Sequence, residues 1–171
     1  MRGLLAAQVA AVALACLLVA RDAKRLGAKD AGIATVLFVV VTGGLLAFAG
    51  IRAQLFALVL FPALLLVLRS EEEAPSRRIW IVVPLLALWS NLHGSALVGL
   101  GLLLVYLVGE RGRRRPAESA AVGLASLLAL CATPALWSTP AYYTDALTNE
   151  AARRGYGLWA PLSVTSGFDL L

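Results

Sequence analysis

Residues 31–50 and 79–109 of this 171-residue chain contain no charged side chain at all. No other feature restricts the fold as much. About 20 helical residues at ~1.5 Å rise cross a ~30 Å hydrocarbon layer, where each segment must satisfy its own backbone groups. Helices do this without outside help, so the expected class is an all-α integral membrane protein. The composition agrees: 60% of residues are hydrophobic and 15% are charged, against about 25% charged in an ordinary soluble domain. A net charge of +5 would suggest nucleic acid in a soluble protein. Here the basic clusters fall in short connections between apolar runs, where membrane topology requires them. No nucleic-acid partner is expected.

Six apolar segments are predicted as spans, over about 3–20, 31–50, 51–68, 79–90, 95–109 and 119–137. They make residues 1–137 a polytopic transmembrane bundle. Residues 138–171 form a more polar segment, with Pro140 and Pro161 bracketing a short amphipathic helix on the outer face. The first segment resembles a signal peptide only loosely. Arg2 is its sole leading charge, no A-x-A site follows, and Leu17, Leu18 and Val19 continue the apolar run past Cys16. Cys16 and Cys131 lie at different depths within their spans and are expected to stay unpaired. Cysteine and histidine show no metal-ligand spacing, so neither a metal nor a cofactor is expected.

The stretch WSNLHGS, residues 89–95, decides the topology. As one helix, 79–109 would run roughly 46 Å and put the connections RSEEEAPSRR and ERGRRRPAE on opposite sides. A hairpin turning at NLHG puts both on one side. Arg21, Lys24, Arg25, Lys29, Arg69, Arg77, Arg78, Arg111, Arg113, Arg114 and Arg115 then share a compartment. Arg2, Arg52, Arg153 and Arg154 face the other, so the basic loops are predicted to be cytoplasmic.

The segment 79–90 is short, which sinks the turn below the outer surface. Non-helical backbone there must line a wet cavity or be covered by protein. Gly94 is expected to take a left-handed conformation and Ser95 to cap the next helix. Trp89 and Trp137 are expected near the outer interface, and Trp80 near the inner one. Ala117, Ala121, Ala125 and Ala129 form a four-residue stripe suited to close helix contact, as do the pairs Gly43/Ala47 and Ser95/Gly99. Pro62 and Pro84 should kink their spans.

This topology gathers Arg52, Gln54, Asn91 and His93 on the outer side with the polar tail. Polar groups converging at a membrane face are candidate binding residues. Each also has a plainer role: Arg52 can snorkel to headgroups, His93 can satisfy nearby carbonyls, and Arg153–Arg154 can meet lipid phosphates. Together they suit an anionic, lipid-linked ligand.

IRAQLF (51–56) and LLALWSNLHGSALVG (85–99) resemble a bacterial group of multi-spanning proteins related to the GT-C class of membrane glycosyltransferases. In that group the first motif reads Arg-Pro-Gln and the second Trp-x-Asn-Leu-His-Gly. Arg52 and Gln54 match the first, with Ala53 in place of proline; Trp89, Asn91, Leu92, His93 and Gly94 match the second. The resemblance implies inverting sugar transfer from a polyprenyl-phosphate donor on the outer face of the bacterial cytoplasmic membrane. It gives Arg52 the donor phosphate, and Asn91 and His93 the donor or acceptor pocket, with His93 as a secondary candidate for carrying a proton.

Such chemistry needs a carboxylate to position or deprotonate the acceptor. The class carries that acid in a first outer loop, which has no counterpart after Ala20, so the catalytic residue stays unassigned. The chain reads as a piece of a longer protein. Two other functions compete: a transporter or flippase-like subunit, and a non-enzymatic membrane scaffold. The span interiors hold no ionisable group, which disfavours an ion-coupled carrier.

Overall fold

The computed structural model describes residues 2–44, 54–150 and 154. Every regular element among them is helical. The chain divides into two compact units, Met1–Pro134 and Ala135–Leu171, a boundary just before the expected one at 137.

The first unit holds α1 (Arg2–Arg25), α2 (Asp30–Gly43), α3 (Gln54–Glu73), α4 (Val82–Leu92), α5 (Ala96–Tyr106) and α6 (Pro116–Leu130). In the second, a 3-10 turn at Leu136–Ser138 leads into α7 (Thr139–Leu147). One described helix, Gly3–Arg25, is long and apolar enough to cross a membrane; Asp30–Gly43 and Pro116–Leu130 are apolar but shorter. Arg52 and the 45–50 end of the second predicted segment lie outside the described residues, as does Pro161.

Helix α1 runs past its apolar stretch to Lys24 and Arg25, whose charges favour a helix C-terminus. It stops at Gly27, which takes φ +85°, a conformation glycine adopts without a Cβ clash. The Asp22 carboxylate meets the Arg69 guanidinium at 3.3 Å. That contact joins the C-terminal ends of α1 and α3, so the two helices run parallel. Arg111, past the end of α5, reaches Glu71 at the end of α3 and Glu118 at the start of α6. The three charged connections therefore gather at one end of the unit. Asn91, at the end of α4, bonds the carbonyl of Ala132 just beyond α6, so the NLHG turn occupies the other end.

The core between α3, α4, α5 and α6 follows helical spacing: Leu60, Leu64 and Leu68; Val82, Leu86 and Trp89; Leu100, Leu103 and Leu107; Val122 and Leu130. Helix α2 has no buried residue. Large apolar side chains stay exposed around the unit, among them Val9, Leu17, Phe38, Val105 and Leu124.

Three packing expectations change. The buried face of α6 is Ser119, Val122, Gly123, Ser126, Ala129 and Leu130, not the alanine stripe. A four-residue step overshoots the helical turn by about 40°, so four alanines wind around the axis. Ala117 and Ala121 are accordingly exposed, Ala125 is half-buried and Ala129 is buried. Helix α6 also ends at Leu130 rather than at 137, because Pro134 disfavours helix in the residue before it. Pro84 lies in the first turn of α4, where a missing N–H leaves nothing unpaired. The irregularity falls just ahead of it, in the 3-10 turn Arg77–Ile81. Pro62 does lie inside α3.

Candidate functional site

The run 79–109 is two helices joined at NLHG. His93 leaves α4 in an extended conformation, φ −160° and ψ 142°. With that exit no left-handed residue is needed, and among the described glycines only Gly27 has positive φ. Ser95 has helical torsions and its hydroxyl makes no cap bond. The side chain that caps is His93: its Nδ1 accepts the Ser95 backbone N–H at 3.1 Å. Ser95 Oγ lies 2.8 Å from the same nitrogen and accepts the Trp89 indole N–H at 3.1 Å.

Trp89 is buried, not part of an exposed belt. It meets Phe61 edge to face at 6.3 Å and packs against Gly99, where a Cβ would come within 2.6 Å of the indole. Trp80 and Trp137 are exposed. Asn91 donates to the carbonyls of Ala87 at 2.8 Å and Ala132 at 2.6 Å. Ser90 donates to Ala87 at 3.0 Å and approaches Ala129 at 3.5 Å. The polar side chains of the turn thus find their partners within the chain. Gln54 is the first residue of α3; its side chain, like the whole of Arg52, lies outside the description. Asn91 and His93 share one turn.

The opposite end holds a cluster that the sequence did not mark. Beyond Tyr106 the helix widens into a π-turn, Leu107–Arg111, and Gly112 follows where a Cβ would sit 2.7 Å from the Leu107 carbonyl oxygen. The extra residue in that turn aims Arg111 inward, with its side chain wholly buried. Its guanidinium pairs with Glu71, donates to the Ser76 carbonyl at 2.7 Å and reaches Glu118 at 2.9 Å. Glu71 also accepts the Ser76 N–H at 2.8 Å and its hydroxyl at 2.5 Å, and Arg115 meets Glu118 at 3.2 Å.

Burial by itself would lower the Arg111 pKa, but the partners Glu118, Tyr106 and Glu71 outweigh it and hold the group above its usual value. For Glu118, desolvation pushes upward, and the hydrogen bonds and charges of Arg115 and Arg111 bring it below the ordinary carboxylate value. The Arg111–Glu71 pair fastens the 69–78 and 110–118 connections together. ERGRRR looks like any solvated basic loop; only the pairing of Gly112 with an inward arginine distinguishes it.

A groove of about 680 Å³ runs along α5 and α6 between Leu104, Leu107, Ser119, Gly123 and Leu127, with Arg113 at one end. It does not include the WSNLHGS residues. Among the described residues no group of histidine, cysteine and carboxylate side chains could hold a metal ion, and Cys16 and Cys131 are both free thiols. Compared with family models, curated proteins and solved structures, the chain matches none at a significant level.

Proposed function

We propose that this chain is part of a GT-C-type membrane glycosyltransferase that transfers a sugar from a polyprenyl-phosphate donor at the outer face of a bacterial cytoplasmic membrane. The observation that carries the reading is the separation of the two ends. The Trp-x-Asn-Leu-His-Gly turn lies at the end of the helical unit opposite the ion-paired basic connections. Basic connections stay cytoplasmic, so the turn faces outward, where a lipid-linked sugar would be met. The apolar side chains exposed around the unit suit a lipid bilayer as their solvent, with the shorter apolar helices as further spans. Gln54 opens α3, and with Arg52 it joins Asn91 and His93 as the donor-binding set. The acid that activates the acceptor is unassigned.

A scaffold role is the second reading, and one observation favours it: Trp89, Ser90, Asn91 and Ser95 all have partners within the chain. Transfer assays on the full-length protein with labelled polyprenyl-phosphate sugars separate the two. For the enzyme, Asn91→Ala and His93→Ala cut transfer while detergent-extracted protein stays monodisperse. Arg52→Lys then weakens donor binding, since lysine lacks the forked donor geometry that fits a phosphate. Unchanged transfer in all three variants would leave the turn as architecture.

A further inference from the structure

The hydrogen bonds around His93 fix where its ring proton sits. A backbone N–H can only donate, so Nδ1, which accepts from Ser95 N–H at 3.1 Å, carries a lone pair. An indole N–H also can only donate, so Ser95 Oγ accepts from Trp89 at 3.1 Å. That leaves the hydroxyl proton of Ser95 free to point at Nδ1, 2.8 Å away. Two donors converge on one nitrogen, and the neutral ring must hold its proton on Nε2. The ring hydrogen bonds of His93 among the described residues all fall on Nδ1, and the residue is only half-buried.

We infer that Trp89 and Ser95 hold His93 in the Nε2–H tautomer, and that this N–H is a neutral hydrogen-bond donor to a phosphate oxygen of the bound ligand. The tautomer stands on the hydrogen bonds alone; the ligand rests on the glycosyltransferase reading. His93 is then no base. Nε2 already carries its proton, and a proton on Nδ1 would face the Ser95 N–H and break the cap. Trp89 and Ser95 are positioning residues. A neutral donor suits an anionic oxygen at a membrane face, because it has no charge of its own to desolvate. The phosphate could belong to a polyprenyl-phosphate donor or to a bilayer phospholipid.

His93 is the only histidine in the chain, so ¹⁵N-histidine labelling of the full chain in phosphatidylcholine nanodiscs reports a single ring. The expected spectrum shows a protonated Nε2 and a lone-pair-bearing Nδ1. Ser95→Ala keeps the backbone donor and loses the hydroxyl, so the Nδ1 resonance should move toward its non-hydrogen-bonded position with Nε2 still protonated, while Ser95→Thr, which keeps the hydroxyl, should retain the wild-type pattern. A protonated Nδ1 in the wild type overturns the inference outright. Adding polyprenyl phosphate should move the Nε2–H resonance, and adding the same amount of phosphatidylglycerol should not. A shift with both lipids would assign the phosphate to the bilayer headgroup and overturn the donor-lipid role. If native mass spectrometry shows polyprenyl phosphate bound but Nε2–H stays still, the ligand half fails and the glycosyltransferase reading survives. If no polyprenyl phosphate binds, that reading itself fails, and the ligand half with it.

Discussion

The two ends of the helical unit solve the same problem with opposite chemistry. At one end, connections far apart in sequence are joined by buried ions, with Arg111 between Glu71 and Glu118. At the other, the helix hairpin is closed by neutral groups within a seven-residue motif, and long-range bonds from Ser90 and Asn91 tie it to the end of α6. An ion pair tolerates loss of one member badly, because the survivor is left charged and buried. A set of neutral bonds loses one member at modest cost. The charged end is thus the brittle clamp, and the neutral end is the part that can be altered, or can meet a ligand, without unfolding the unit.

The sharpest way to break this comparison is at Arg111. Arg111→Leu alone should lower unfolding stability in mild detergent by about 3–5 kcal/mol, while the double change with Glu71→Leu should recover most of it. Denaturant titrations of the single and double variants decide it; equal losses in both would mean the charges themselves are not what holds the clamp. Next in size is Gly99→Ala. The new methyl collides with the Trp89 ring, and overpacking of this kind costs about 1–3 kcal/mol. Indole fluorescence should shift as well, and an unmoved spectrum with full stability would show that Trp89 is not seated on Gly99.

Asn91→Ala should cost about 1 kcal/mol, since it removes two side-chain bonds at a partly solvated turn. A loss as large as that at Arg111 would erase the contrast between the ends. The smallest effect is a pH dependence of the charged end. The Glu118 carboxyl is held below its ordinary value near 4.5. Its stabilising contribution is therefore complete above that pH and is lost as pH falls through the lower, folded value. Stability measured from pH 6 downward should decline more steeply in the wild type than in Glu118→Gln.

Much of the helical architecture was legible because uncharged runs and charged connections alternate. The NLHG turn was legible because a single helix over 79–109 would have split the basic loops. The burial of Trp89 was missed, although the sequence carried a trace of it: Trp89 and Gly99 are equidistant from Gly94, and a hairpin centred there brings them face to face. The alanine stripe was misread because a spacing of four does not stay on one face of a helix. Arg111 could not be found from composition. It sits in a run of glycine, glutamate and arginine, and what singles it out is a change of helical pitch rather than its own side chain.

That change of pitch makes α5 sensitive to length in a way its apolar composition hides. A π-turn accommodates one residue more than the α-helix would, so the chain beyond Leu107 is rotated by about 100° from the phase an unbroken helix would give it. Removing any single residue between Leu107 and Arg111 would restore the ordinary screw and swing the guanidinium away from Glu71, even if every remaining side chain were retained. Conversely, a conservative exchange of leucine for isoleucine in the same stretch leaves the phase intact. For this segment the count of residues is under tighter constraint than their identity.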